Sequence, residues 1–135
     1  HTQEGPMPKR TVSIPDSLAP NPAFSPAVRV GDLLFVSGQV SVDNDGNIIG
    51  IGDCEAQARH IVSRISTIVQ SVGASMSDVV KVTTFLTDIN DYPAFSKVRG
   101  ETFPTDPPAS STVIVAGLVR PELVIEIEAV VNIPD

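Results

Sequence analysis

The last apolar run of this 135-residue chain, from Val124 to Val130, reads Val-Ile-Glu-Ile-Glu-Ala-Val and breaks its hydrophobic residues with two carboxylates. Read as a strand, it alternates faces with a period of two. Glu126 and Glu128 then share one face, with Ile125, Ile127 and Ala129 on the other. Two carboxylates about 7 Å apart on one strand face suit acid/base chemistry, and their mutual repulsion would raise one pKa. The same pattern also describes a solvated face whose charges discourage edge pairing. Pattern alone leaves both readings open.

Few other residues offer chemistry. Cys54 is the only cysteine. It forms no internal disulfide, agrees with a reducing, cytoplasmic setting, and is expected to be an inert residue at a helix start. His1 and His60 lack the H-x-x-x-H or C-x-x-C spacing of zinc ligands. No G-x-S-x-G elbow, phosphate-binding loop, dinucleotide fingerprint or H-E-x-x-H is present. The net charge of −7 repels phosphate backbones, so nucleic acid is not expected as a partner. No apolar run reaches bilayer-spanning length, and the start HTQEGPMPKR holds no signal-peptide h-region.

The elements that must position these residues follow from periodicity. Residues 1–26 carry Pro6, Pro8, Pro15, Pro20, Pro22 and Pro26, which predicts an extended or irregular surface segment of one 1–135 domain. AVRV (27–30), a Gly31-Asp32 turn and LLFVSGQV (33–40) predict a hairpin, and DNDGN (43–47) a further turn. Asp53 suits an N-cap. Beyond it Ile61, Val62, Ile65, Ile68, Val69 and Val72 line one helical face, Arg59, Ser63, Arg64, Ser66 and Gln70 the other, and Gly73 stops the helix. VVKVTTFLT (79–87) predicts a strand, Tyr92–Thr102 a second helix with Pro93 in its first turn, and STVIVAG (111–117) and LVIEIEAVV (123–131) two more strands. The order β-β-α-β-α-β-β gives an α+β fold with a mostly antiparallel sheet and two helices on one face. The uncovered face would need burial elsewhere, which subunit association would provide.

Four segments, AFSPAVRVGDLLFVSGQV (23–40), DVVKVTTFLTDINDY (78–92), PPASSTVIVAG (107–117) and VIEIEAV (124–130), resemble the Rid family, also called YjgF or reactive-intermediate deaminases. The resemblance runs from about Phe24 to Val131. It implies a chorismate-mutase-like fold, a homotrimer with small-molecule clefts between subunits, and no cofactor. It also implies hydrolysis of reactive enamines and imines, made by pyridoxal-phosphate enzymes, to 2-keto acids and ammonia.

Residue by residue, the resemblance puts Glu126 at the family's water-activating glutamate, and Ser37 and Gly38 at the cleft S-G. Phe24 stands where a tyrosine is usual, so ring stacking stays and the phenol donor is lost. Ser110 replaces the arginine that grips the substrate carboxylate, and serine cannot reproduce that fork. Thr112 replaces a frequent cysteine, and Ser96 a frequent asparagine. Arg99, three residues after Ser96, stands where an aromatic is usual. Its alternatives are a relocated cationic anchor in the same cleft or a solvated helix arginine. Three functions follow in order of expectation: hydrolysis of a small imine or enamine with a changed substrate preference, a non-catalytic trimeric small-molecule-binding or regulatory role, and endoribonuclease activity. The acidic charge and the lack of a histidine-based acid/base pair oppose the last.

Overall fold

The computed structural model of the chain describes residues 9–11 and 23–135. Six strands and two helices follow one another as β1 (Lys9–Thr11), β2 (Ala27–Val30), β3 (Leu33–Gln39), α1 (Cys54–Gln70), β4 (Val79–Leu86), α2 (Tyr92–Thr102), β5 (Ala109–Ile114) and β6 (Ile125–Asn132). The strands form one sheet in the order β1-β2-β3-β6-β4-β5. All neighbouring pairs are antiparallel except β4–β5. A parallel pair needs a crossover, and α2 supplies it.

The expected element order is present, with one addition. The Lys-Arg-Thr stretch 9–11, inside the segment expected to be irregular, pairs with β2. It falls between Pro8 and Pro15, so no proline removes a donor within it. The remaining expectations for residues 1–22, including five of the six prolines, lie outside the described residues. The fifth strand runs over 109–114 rather than 111–117, in register with β4 from Lys81–Ala109 to Leu86–Ile114.

Helix α1 begins as its sequence requires: the Asp53 carboxylate accepts from the Ala56 N–H. It closes with Gly73 at φ 79°, the Gly73 N–H on the Gln70 carbonyl and the Ala74 N–H on the Val69 carbonyl. That is a Schellman motif, which needs a left-handed residue. Its buried stripe of Ala58, Ile61, Ile65, Ile68 and Val69 packs on Leu34, Val36, Val82, Leu86, Ile125, Ile127 and Val131 of the sheet, with Phe95 and Val98 of α2 completing the core. Gln57, fully buried, donates to the Gly50 and Glu122 carbonyls and accepts from the Val124 N–H, so a single amide ties both flanking loops to α1.

Strand alternation decides what the other sheet face carries. Leu33, Phe35, Phe85, Val113 and Val130 sit there, with Phe35 at 46% exposure. The helices therefore cover one face and leave an apolar patch on the second, as the strand pattern predicts.

Candidate functional site

Glu126 occupies the open face of β6, opposite Phe85 of β4, while Ile125 and Ile127 point into the core. Burial is the main cause that raises its pKa above the usual carboxylate value, and the neighbouring Glu128 charge adds to it. Repulsion between the two carboxylates is therefore real but secondary. Among the described residues, no hydrogen bond compensates the lost hydration of Glu126. Glu128 is exposed and has the character of a solvated strand charge.

The residue facing Glu126 is Gly38. A methyl group at Gly38 would overlap the carboxylate, coming within 2.9 Å of Glu126 Cδ. A side chain at this position would push the Glu126 carboxylate away from β3, and glycine leaves it room. The approach is made by a bulge: the β3–β6 register shifts between Val36 and Gln39, so Ser37 and Gly38 together span one step of the partner strand. Ser37 donates its hydroxyl proton to the Ser25 carbonyl at 2.6 Å, and its N–H to the Pro26 carbonyl at 3.0 Å. The hydroxyl proton and the N–H of Ser37 are thus both committed to the loop before β2. That loop carries Phe24, whose ring is 55% exposed. The hydroxyl keeps only acceptor capacity.

The second group of candidate residues gathers around Arg99 on α2. Its Nη1 donates to Ser110 Oγ at 3.2 Å and its Nη2 to Tyr92 Oη at 2.8 Å, with Ser96 Oγ at the limit of contact, 3.5 Å. The guanidinium carbon lies 5.0 Å from the Phe95 ring centre and 5.5 Å from that of Tyr92, both within cation–π range. No carboxylate pairs with it among the described residues. Arg99 is therefore a half-exposed cation whose described partners are neutral hydroxyls and aromatic faces. Tyr92, one of its hosts, was missed by sequence reasoning, although its spacing of seven from Arg99 puts both on one helix side. Thr112 shares the Ser110 side of β5, opposite Thr84.

The two groups do not meet within one chain. Ser110 and Thr112 pair with Val82 and Thr84, which face the helices, whereas Glu126 and Gly38 lie on the open face. The other chemically suggestive side chains are inert. Cys54 starts α1, is buried, and has its thiol pKa pushed up to about 12, chiefly by burial and then by Asp91 and Asp53. No group of three or more His, Cys, Asp or Glu side chains able to hold a metal occurs among the described residues.

Comparison with known proteins agrees with this architecture. The family model described as Endoribonuclease L-PSP matches residues 14–133. The crystal structure of the yeast protein YEO7 superposes with a TM-score of 0.86 at 31% identity, covering 94% of this chain and 100% of the yeast one. RidA from the Antarctic bacterium Psychrobacter sp. gives 0.83 at 30% identity, over 92% and 99% of the two chains. YyfA of Yersinia pestis, titled a protein of unknown function in the conserved Rid family, gives 0.86 at 26%, over 93% and 100%. With a family match across most of its length and close superposition on solved Rid proteins, this chain belongs to the Rid (YjgF) family.

Proposed function

We propose that this protein hydrolyses a small imine or enamine to a carbonyl compound and ammonia, in a cleft completed by a second copy of the chain. The observation that supports this most is the Glu126 carboxyl, desolvated, raised in pKa and seated against Gly38 on the open sheet face opposite Phe85. A carboxylate in that condition is a better general base than a solvated one, because its proton affinity moves toward neutral pH. In the proposed reaction Glu126 takes a proton from water as the oxygen bonds to the C=N carbon. It hands that proton to the nitrogen, giving a carbinolamine, and then moves the hydroxyl proton to the amino group as the C–N bond breaks, so that C=O forms and ammonia leaves. Imines hydrolyse readily, so one base and correct positioning suffice.

The opposite placement of the two residue groups supports assembly: edge strand β5, carrying Ser110 beside Arg99, can reach the Glu126 face only on another subunit. A homotrimer, as in the family reading, would bring them together without a cofactor. Arg99 then supplies the positive charge for an anionic substrate group, in place of an arginine at position 110. A fixed guanidinium without a carboxylate partner suits that task.

The test is 2-iminobutyrate generated in situ, with wild type, Glu126→Gln and Arg99→Ala compared. We expect turnover by wild type, loss of about 100-fold or more in Glu126→Gln, and a raised KM in Arg99→Ala. A tight ligand complex without turnover would assign the cleft to binding. Arg99→Ala with unchanged KM would return Arg99 to a structural role. A second reading, endoribonuclease, is favoured only by names: the description of the matching family model and the titles of several solved neighbours. The charge of −7 opposes it, and His60, the only histidine among the described residues, contacts the Val42 carbonyl and not the Glu126 face. RNA cleavage by homogeneous protein that disappears in Glu126→Gln would establish it.

A further inference from the structure

Arg64 was expected on the solvated face of α1. Instead it is half-buried, and its guanidinium reaches back to the end of β3. Its Nε donates to Gln39 Oε1 at 3.2 Å, and its Nη1 to the Val42 carbonyl at 2.7 Å. No carboxylate pairs with it among the described residues, and burial lowers its pKa. An aliphatic side chain would fill the same space without desolvating a cation. Packing alone does not call for arginine here.

What Arg64 holds is Gln39, 6% exposed and on the helix-covered side of β3 in register with Ile127. With Oε1 taken by Arg64, the Gln39 amide must present Nε2 in the other direction. There it donates to the Ser37 carbonyl at 3.0 Å. In a regular strand that carbonyl would bond the neighbouring strand, but within the bulge it is turned toward Gln39. The Ser37–Gly38 peptide is trans, so its C=O and N–H point to opposite sides of one rigid plane. Holding the carbonyl toward the helices turns the Gly38 N–H toward the open face, where Glu126 lies against Gly38.

We infer that Arg64 and Gln39 are positioning residues that orient the Ser37–Gly38 peptide and aim its N–H at a polar atom of the ligand beside Glu126. Arg64 orients the amide, the amide orients the carbonyl, and the peptide plane transmits that orientation to the donor. The inference rests on the reading of the Glu126 face as the ligand site. It adds two residues, from the far side of the sheet, that touch no ligand themselves.

Gln39→Glu separates positioning from packing. A carboxylate at 39 still accepts from Arg64, and more strongly, but offers no donor to the Ser37 carbonyl. We expect Gln39→Glu to keep or raise the thermal midpoint, to shift the Gly38 amide resonance in a 1H–15N spectrum, and to lower kcat on 2-iminobutyrate by roughly tenfold or more. KM should change much less. Arg64→Met should move the same resonance in the same direction, even if it also lowers stability. An unmoved Gly38 resonance in both variants overturns the inference, as does unchanged kcat in Gln39→Glu. If wild type hydrolyses no imine, the hydrolase reading fails separately, and the Gly38 resonance alone decides the positioning claim.

Discussion

At the scale of single residues, burial and charge separate two glutamates that the strand pattern makes equivalent. Glu126 and Glu128 share a face, yet Glu128 is exposed while burial raises the pKa of Glu126. Its raised pKa has a consequence for stability. A carboxyl whose folded pKa exceeds its unfolded one binds more protons when folded, so its contribution to stability is present below the unfolded value and is lost as pH rises through the folded one. Glutamine has no such loss. We expect Glu126→Gln to gain thermal midpoint relative to wild type on going from pH 4 to pH 7. Equal differences at the two pH values would mean that Glu126 is not desolvated in solution. Cys54 shows the converse case: burial removes its reactivity, and its thiol packs as a small apolar group at the start of α1.

At the scale of elements, the helix-covered side of β4 carries one unsatisfied group. Thr84 is fully buried, and its Oγ1 has no hydrogen-bond partner among the described residues. It lines a cavity between the helices and the sheet together with Val62, Ile65, Val82, Phe95 and Ile127. A buried hydroxyl without a partner costs about 1–3 kcal/mol. Thr84→Val removes the hydroxyl and keeps the shape. We expect it to stabilise the fold by about 1 kcal/mol, read as a higher urea midpoint at constant m-value. A loss of similar size would mean that the hydroxyl has a partner absent from this description, such as a bound water. Gln57, equally buried, instead hydrogen-bonds the Gly50 and Glu122 carbonyls and the Val124 N–H.

At the scale of the whole molecule, the open face raises the question of what covers it. Leu33, Phe35, Phe85, Val113 and Val130 form an apolar surface next to the proposed site, and Phe35 is exposed enough to lose much on covering. The proposed assembly of copies through this face predicts that Phe35→Asp yields monomers in sedimentation velocity, and that imine turnover is lost with assembly because Arg99 and Glu126 then stay on separate surfaces. A monomeric wild type with full activity would overturn both statements.

The sequence by itself determined the elements and which side of each is apolar. The Asp53 cap, the Gly73 stop, the spacing of Ile61, Ile65 and Ile68 and the alternation around Glu126 are local signals, readable because they depend on backbone period and nearby residues. They placed both helices and five strands, and the four family-like segments pointed to the architecture that the comparisons bear out. What only the tertiary structure decided depends on residues far apart in the chain. It turned Arg64 inward to Gln39, committed both donors of Ser37 to the Phe24 loop, and set Arg99 on Ser110 while leaving Glu126 on the opposite face. The physical reason is that side-chain partners are chosen by strand register and helix packing. A bulge at Ser37–Gly38 and a parallel crossover through α2 set these over distances that a local period cannot encode.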